Sequence, residues 1–225
     1  MTLAPPRDKP LAELRRVYAA IAEWLLYPDE IDPATLEARA AGETLSAARA
    51  IGPQVADHLR AFLGERESVD AESYVALFDL NPRYPLYLGT YQFEEPTTCS
   101  QAGMSDRNTY MLEIANIYRH FAIELHTELP DYLPVMTEFL SISAACSPAD
   151  DEVRVRLIER LMIEGVRRLE AKLGESEAPQ RHLVAALRAG LELELEPLRE
   201  LDLVAAAGGG EVLEVTRIEE ATGRG

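Results

Sequence analysis

The chain has 225 residues, 47% of them hydrophobic, and carries 22 basic against 39 acidic side chains for a formal net charge of −17. That length suits one domain with a sizeable core. The acidic balance argues against a nucleic-acid binder or a docker on anionic membrane; it attracts a cationic partner, or simply keeps a helical protein soluble.

In chain order, "LAELRRVYAAIAEWLLYP" places Leu11, Leu14, Tyr18, Ile21 and Leu25 at helical spacing, with Pro28 as its end and the Arg15-Arg16 pair on the polar side. Residues 33–49 and 53–63 read as two shorter helices, broken at Gly52 and Gly64. "VDAESYVALFDL" sets Val69, Tyr74, Leu77 and Phe78 on one face and stops before Asn81-Pro82, where the residue preceding proline resists helical geometry. A long loop, about 80–104, follows.

Its first part, "NPRYPLYLGTYQF", is apolar and proline-pinned, too aromatic for a disordered linker. "SDRNTYMLEIANIYRHFAIEL" is the strongest helical signal, capped by Ser105 or Asp106, with Tyr110, Ile114, Ile117, Phe121 and Leu125 as its stripe. In "DYLPVMTEFLSISAA", Asp131 is the expected N-cap, with Pro134 in the first turn. "SPADDEVRVRLIERLMIEGVRRLEAKLG" has Ser147 as cap and Pro148 at the first helical position, and ends at Gly174. A last helix is predicted over roughly 179–192. The expected architecture is all-α: a single helical-bundle domain over 1–203, then a mobile tail over 204–225 whose only strand-like stretch is Val212–Val215.

Catalytic and metal chemistry find little footing. His58, His120, His126 and His182 show no ligand spacing. The glycines at 208–210 lack the Lys-Ser/Thr of a phosphate loop, and no Ser-nucleophile elbow is present. Cys99 has no paired base, and with Cys146 it reads as a reduced thiol of a cytoplasmic chain. No apolar run spans a membrane, and "MTLAPPRDKP" has no apolar segment behind it to make a secretory signal. No catalytic residue, metal or cofactor is therefore expected.

The loop offers a surface instead. Leu86, Tyr87, Leu88, Tyr91 and Phe93 either cover the core or face a partner, and large aromatics suit binding surfaces. Glu94-Glu95 follow, so an aromatic groove edged by carboxylates would suit a peptide with apolar residues beside arginines.

Two segments are more specific. "YVALFDLNPRYPLYLGTY" resembles the signature Y/W-x-x-L-F, a Pro-containing turn, then P-[PL]-[YW]-x-x-x-Y; "ELPDYLPVMTEFL" resembles E-x-P-D-[HY]-[LI]-x-x-x-x-x-F-[LM]. Both belong to the TorD/DmsD/NarJ superfamily of molybdoenzyme maturation chaperones, and "GMSDRNTYMLEIANIYRHFAIEL" is similar to the corresponding helix start of its nitrate reductase delta-subunit branch. The similarity is clear over roughly 70–145 and looser over 11–192. Asn81-Pro82 and "PLYLGTY" depart from the TorD-like branch and look most like chaperones of the type II dimethyl sulfoxide reductase group.

The resemblance implies an all-helical cytoplasmic chaperone, monomer or homodimer. Such a protein binds the N-terminal, often twin-arginine, leader of the catalytic molybdopterin subunit of a DMSO reductase family oxidoreductase. It holds that subunit for cofactor insertion and blocks premature export. Carried over by position, the leader-binding residues are Tyr74, Leu77, Phe78, Leu86, Tyr87, Asp131 and Tyr132, to which the loop reading adds Tyr91. The rival readings are a permanent structural subunit of the oxidoreductase and a nucleotide-dependent enzyme.

Overall fold

The computed structural model describes residues 8–31, 42–93, 106–125, 127–143 and 148–208. Among these the only extended pairing is one antiparallel bridge, Tyr87 with Tyr132, and the rest is helix and connection. The all-α expectation holds.

Helix α1 (Asp8–Trp24) buries Leu14, Val17, Tyr18 and Ile21, one stripe of a 3.6-residue period, and Pro28 opens a 3-10 turn (Pro28–Glu30). Helices α2 (Thr44–Ile51) and α3 (Pro53–Glu65) are separated by extended Gly52, and Pro53 stands where a helix needs no N–H. α3 runs through Gly64, so only the first of the two expected breaks is used. Phe62 of α3 lies 5.3 Å from Trp24, ring to ring. Of the helix expected over 33–49, residues 33–41 lie outside the described residues.

Asp70 caps α4 (Ala71–Tyr74), its carboxylate accepting from the Ser73 N–H at 2.8 Å. The helix runs on as a π turn (Val75–Asp79), and Asn81 then turns the chain with φ 55°. The described part of the loop holds one helical turn, α5 (Gly89–Gln92); residues 94–105 lie outside the described residues, as does Ser105 as a cap.

α6 (Asp106–His120) buries Tyr110, Ile114, Ile117 and Tyr118, but Phe121 and Leu125 do not extend its stripe. Ala122 adopts φ 56°, with Ile123 N–H bonded to the Tyr118 carbonyl at 2.9 Å and Ala122 N–H to that of Arg119 at 3.0 Å. That pair of bonds is a Schellman closure. Phe121 packs edge-on against Phe139 at 5.2 Å, a tertiary contact that sequence spacing does not reveal.

α7 (Leu133–Ile142) begins after Tyr132, which makes no side-chain cap bond, so Asp131 is not its N-cap. α8 (Pro148–Arg156) passes through a π turn (Leu157–Met162) into α9 (Ile163–Leu173); the Ser147 cap lies outside the described residues. α10 (Gln180–Gly208) runs well past the expected end at 192. The compact unit closes at Leu195, and the stretch from Glu196 continues helical to Gly208. Residues 209–225, including Val212–Val215, lie outside the described residues.

α1 packs along α7, and the C-terminal carbonyls of α7 are met by guanidinium groups. Arg15, expected on a polar face, donates from Nε to the Ser141 carbonyl at 2.6 Å. Buried Arg154 donates to the Ser143 carbonyl at 3.1 Å and pairs with Glu194, which also accepts the Tyr18 hydroxyl at 3.0 Å.

Candidate functional site

The loop is not free chain. Leu88 N–H donates to the Asp131 carbonyl at 3.0 Å and Leu133 N–H to the Leu86 carbonyl at 2.8 Å, which places Tyr87 opposite Tyr132. In that position of an antiparallel bridge facing side chains come close. The two rings stack tilted with centroids 5.1 Å apart, both half-exposed. The Tyr87 hydroxyl donates to Glu128 Oε2 at 3.2 Å. Burial, followed by the Glu128 charge, pushes the Tyr87 pKa up to about 12.

Behind the rings sits Asp131, fully buried. Its Oδ2 accepts the Gly89 N–H at 2.9 Å and lies 3.9 Å from Arg107; among the described residues its Oδ1 has no hydrogen-bond partner. Desolvation raises the Asp131 pKa, opposed by the Gly89 bond and the Arg107 charge. A Cβ at Gly89 would stand 2.7 Å from Asp131 Oδ2, so any larger residue there forces the buried carboxylate to shift.

The rear of the loop is tied as firmly. The π turn in the α8–α9 rod leaves the Leu161 carbonyl to accept the Tyr110 hydroxyl at 2.8 Å and Gln92 Nε2 at 3.3 Å. Arg168 donates to the Tyr91 carbonyl at 2.8 Å, Lys172 lies 5.0 Å above the Tyr91 ring, and Gly165 lets Leu88 and Gln92 close onto α9.

The eight expected residues thus divide. Leu86, Tyr87, Asp131 and Tyr132 meet at the bridge between the loop and the start of α7, the hinge of the site, and Tyr91 packs behind it with its hydroxyl buried and, among the described residues, unpartnered. Tyr74 and Phe78 form a separate buried pair, 5.0 Å between rings, with the Tyr74 hydroxyl bonded to the Leu25 carbonyl at 2.9 Å. Leu77, half-buried, accepts the Tyr84 N–H through its carbonyl at 2.9 Å. Tyr74, Phe78, Leu86, Tyr91 and Asp131 are buried, which leaves Leu77, Tyr87 and Tyr132 with exposed surface.

Four residues of the hinge were not singled out from sequence: Gly89, Arg107, Tyr110 as a hydrogen-bond donor, and Glu128. All four lie within the quoted motifs, Gly89 in "YLGTY", Arg107 and Tyr110 in "SDRNTY" and Glu128 in "ELPDY", where only a partner's position reveals their part. The acidic pair Glu94-Glu95 lies outside the described residues. Among the described residues, no group of three or more His, Cys, Asp or Glu is placed to hold a metal, and no helix is long and apolar enough to cross a membrane.

Fold and hinge together define an all-helical protein that mounts an aromatic pair on a loop tied from both sides. The family model described as nitrate reductase delta subunit matches residues 46–171, a span that contains the whole hinge. The chain belongs to that family, a family of molybdoenzyme assembly chaperones. No curated protein matches the chain.

Proposed function

We propose that this chaperone works in the cytoplasm and binds the N-terminal leader of the catalytic subunit of a DMSO reductase family oxidoreductase. It would hold that subunit while molybdenum cofactor is inserted and prevent its early export. The observation that carries the reading is the Tyr87–Tyr132 pair, half-exposed beside the Glu128 carboxylate on a frame fixed by two backbone hydrogen bonds. Aromatic rings give contact area at low entropic cost, and a fixed frame limits the ordering cost of binding.

In this reading Tyr87, Tyr132 and Leu77 touch the leader, while Leu86, Tyr91, Asp131, Tyr74 and Phe78 hold the surface in shape. The type II group of these oxidoreductases is the client class that the loop sequence favours. Release needs only that the loaded subunit present a weaker surface, since a partner shifts states by differential affinity alone. Affinity purification of the tagged protein from its host tests this. A catalytic subunit with an uncleaved leader and no cofactor is the expected companion; recovery of only the assembled enzyme, or of no such subunit, overturns the reading.

A further inference from the structure

We infer that Glu128 is the residue by which the hinge selects arginine in its partner, exchanging the Tyr87 hydroxyl for an incoming guanidinium; this rests on the leader-binding reading above. Two described carboxylates lie at the hinge, and they differ in access. Asp131 is fully buried, with one oxygen committed to Gly89 N–H and facing Arg107, so an incoming cation reaches it only by dismantling the frame. Glu128 is exposed and, among the described residues, forms no ion pair.

Its one hydrogen bond among the described residues is replaceable. The Tyr87 hydroxyl sits 3.2 Å from Glu128 Oε2, beyond the usual range of about 2.5–3.0 Å for such bonds. A guanidinium forms shorter, charge-assisted and bidentate bonds to carboxylate. One paired with Glu128 would also stand beside the Tyr87 ring, where a planar cation stacks and a lysine ammonium gains less. The net charge of −17 draws cationic segments toward the whole molecule, and Glu128 supplies the local selection.

The test is calorimetric titration of the full chain with three synthetic peptides that share one apolar segment. These are preceded by two arginines, two lysines or two glutamines. Wild type is expected to bind the arginine peptide about 10-fold more tightly than the glutamine one, the size of a modest interfacial charge pair, with the lysine peptide between.

Glu128→Gln keeps an acceptor for Tyr87, and should cut the arginine preference to less than about 2-fold while leaving the glutamine peptide unchanged. Tyr87→Phe, which frees Glu128, should keep the preference. An arginine preference that survives Glu128→Gln overturns the inference and leaves leader binding standing. Failure of wild type to bind any of the three overturns both. Should Glu128→Gln not fold, the wild-type gap between arginine and glutamine peptides must shrink as salt rises, and a salt-independent gap overturns the inference as well.

Discussion

Two regions bury charge, and they treat it differently. At the junction of α1, α7, α8 and α10, the Arg154 guanidinium meets Glu194, the Ser143 carbonyl and the Ser143 hydroxyl, and Glu194 also takes the Tyr18 hydroxyl. At the hinge, Asp131 has one oxygen held by Gly89 and near Arg107, and the other without a partner among the described residues. A fully paired buried ion stands as one unit, whereas a half-satisfied carboxylate carries an uncompensated desolvation cost. The junction therefore behaves as structure alone. The hinge instead keeps an incompletely satisfied polar group directly beneath its half-exposed rings.

The largest effect expected from this contrast is at the junction. Arg154→Leu strips Glu194 of its cation inside the bundle and should cost about 3–5 kcal/mol in urea denaturation. A loss below about 1 kcal/mol would mean the pair is solvated and the contrast is false. Next comes Gly89→Ala, whose Cβ must push against Asp131 Oδ2; overpacking of this kind costs about 1–3 kcal/mol. It should also loosen the Tyr87–Tyr132 stack, read as faster amide exchange at Leu88 and Leu133.

A matched pair of hydroxyl deletions sharpens the comparison. Tyr18→Phe withdraws a donor from part-buried Glu194 and should cost about 1.5 kcal/mol, whereas Tyr87→Phe withdraws one from exposed Glu128 and should cost under about 0.5 kcal/mol. Equal losses in chemical denaturation would erase the distinction. The smallest effect is a slope. The folded pKa of Asp131 is raised, so between the unfolded value near 3.9 and that raised value the native state holds the extra proton. Stability contributed by this group is then present at low pH and declines as pH rises through the window. Asp131→Asn should flatten that decline; an unchanged slope would show that Asp131 is not the titrating group.

How much of this was legible beforehand depends on what each residue needed. Helix faces such as Leu14, Tyr18 and Ile21 follow from local period, and Pro53 and Pro148 mark helix starts through their own chemistry. Phe121 misled because the end of α6 is set by a Schellman closure at Ala122, a residue whose side chain gives no sign of it. Asp131 read as a cap because aspartate before a helix usually is one. Its carboxylate instead turns inward to a backbone N–H 42 residues away.

By itself the sequence determined an all-helical chain, the helix-breaking aromatic loop and the motifs of a molybdoenzyme chaperone family, because periodicity, proline and short signatures are local properties. Only the tertiary structure decided which motif residues stay at the surface and which are buried. It also decided that Glu128 rather than Asp131 offers an open carboxylate, and that a π turn in the α8–α9 rod secures the loop from behind. Those outcomes rest on hydrogen bonds between segments far apart in the chain, and no local pattern encodes which distant group will supply the partner.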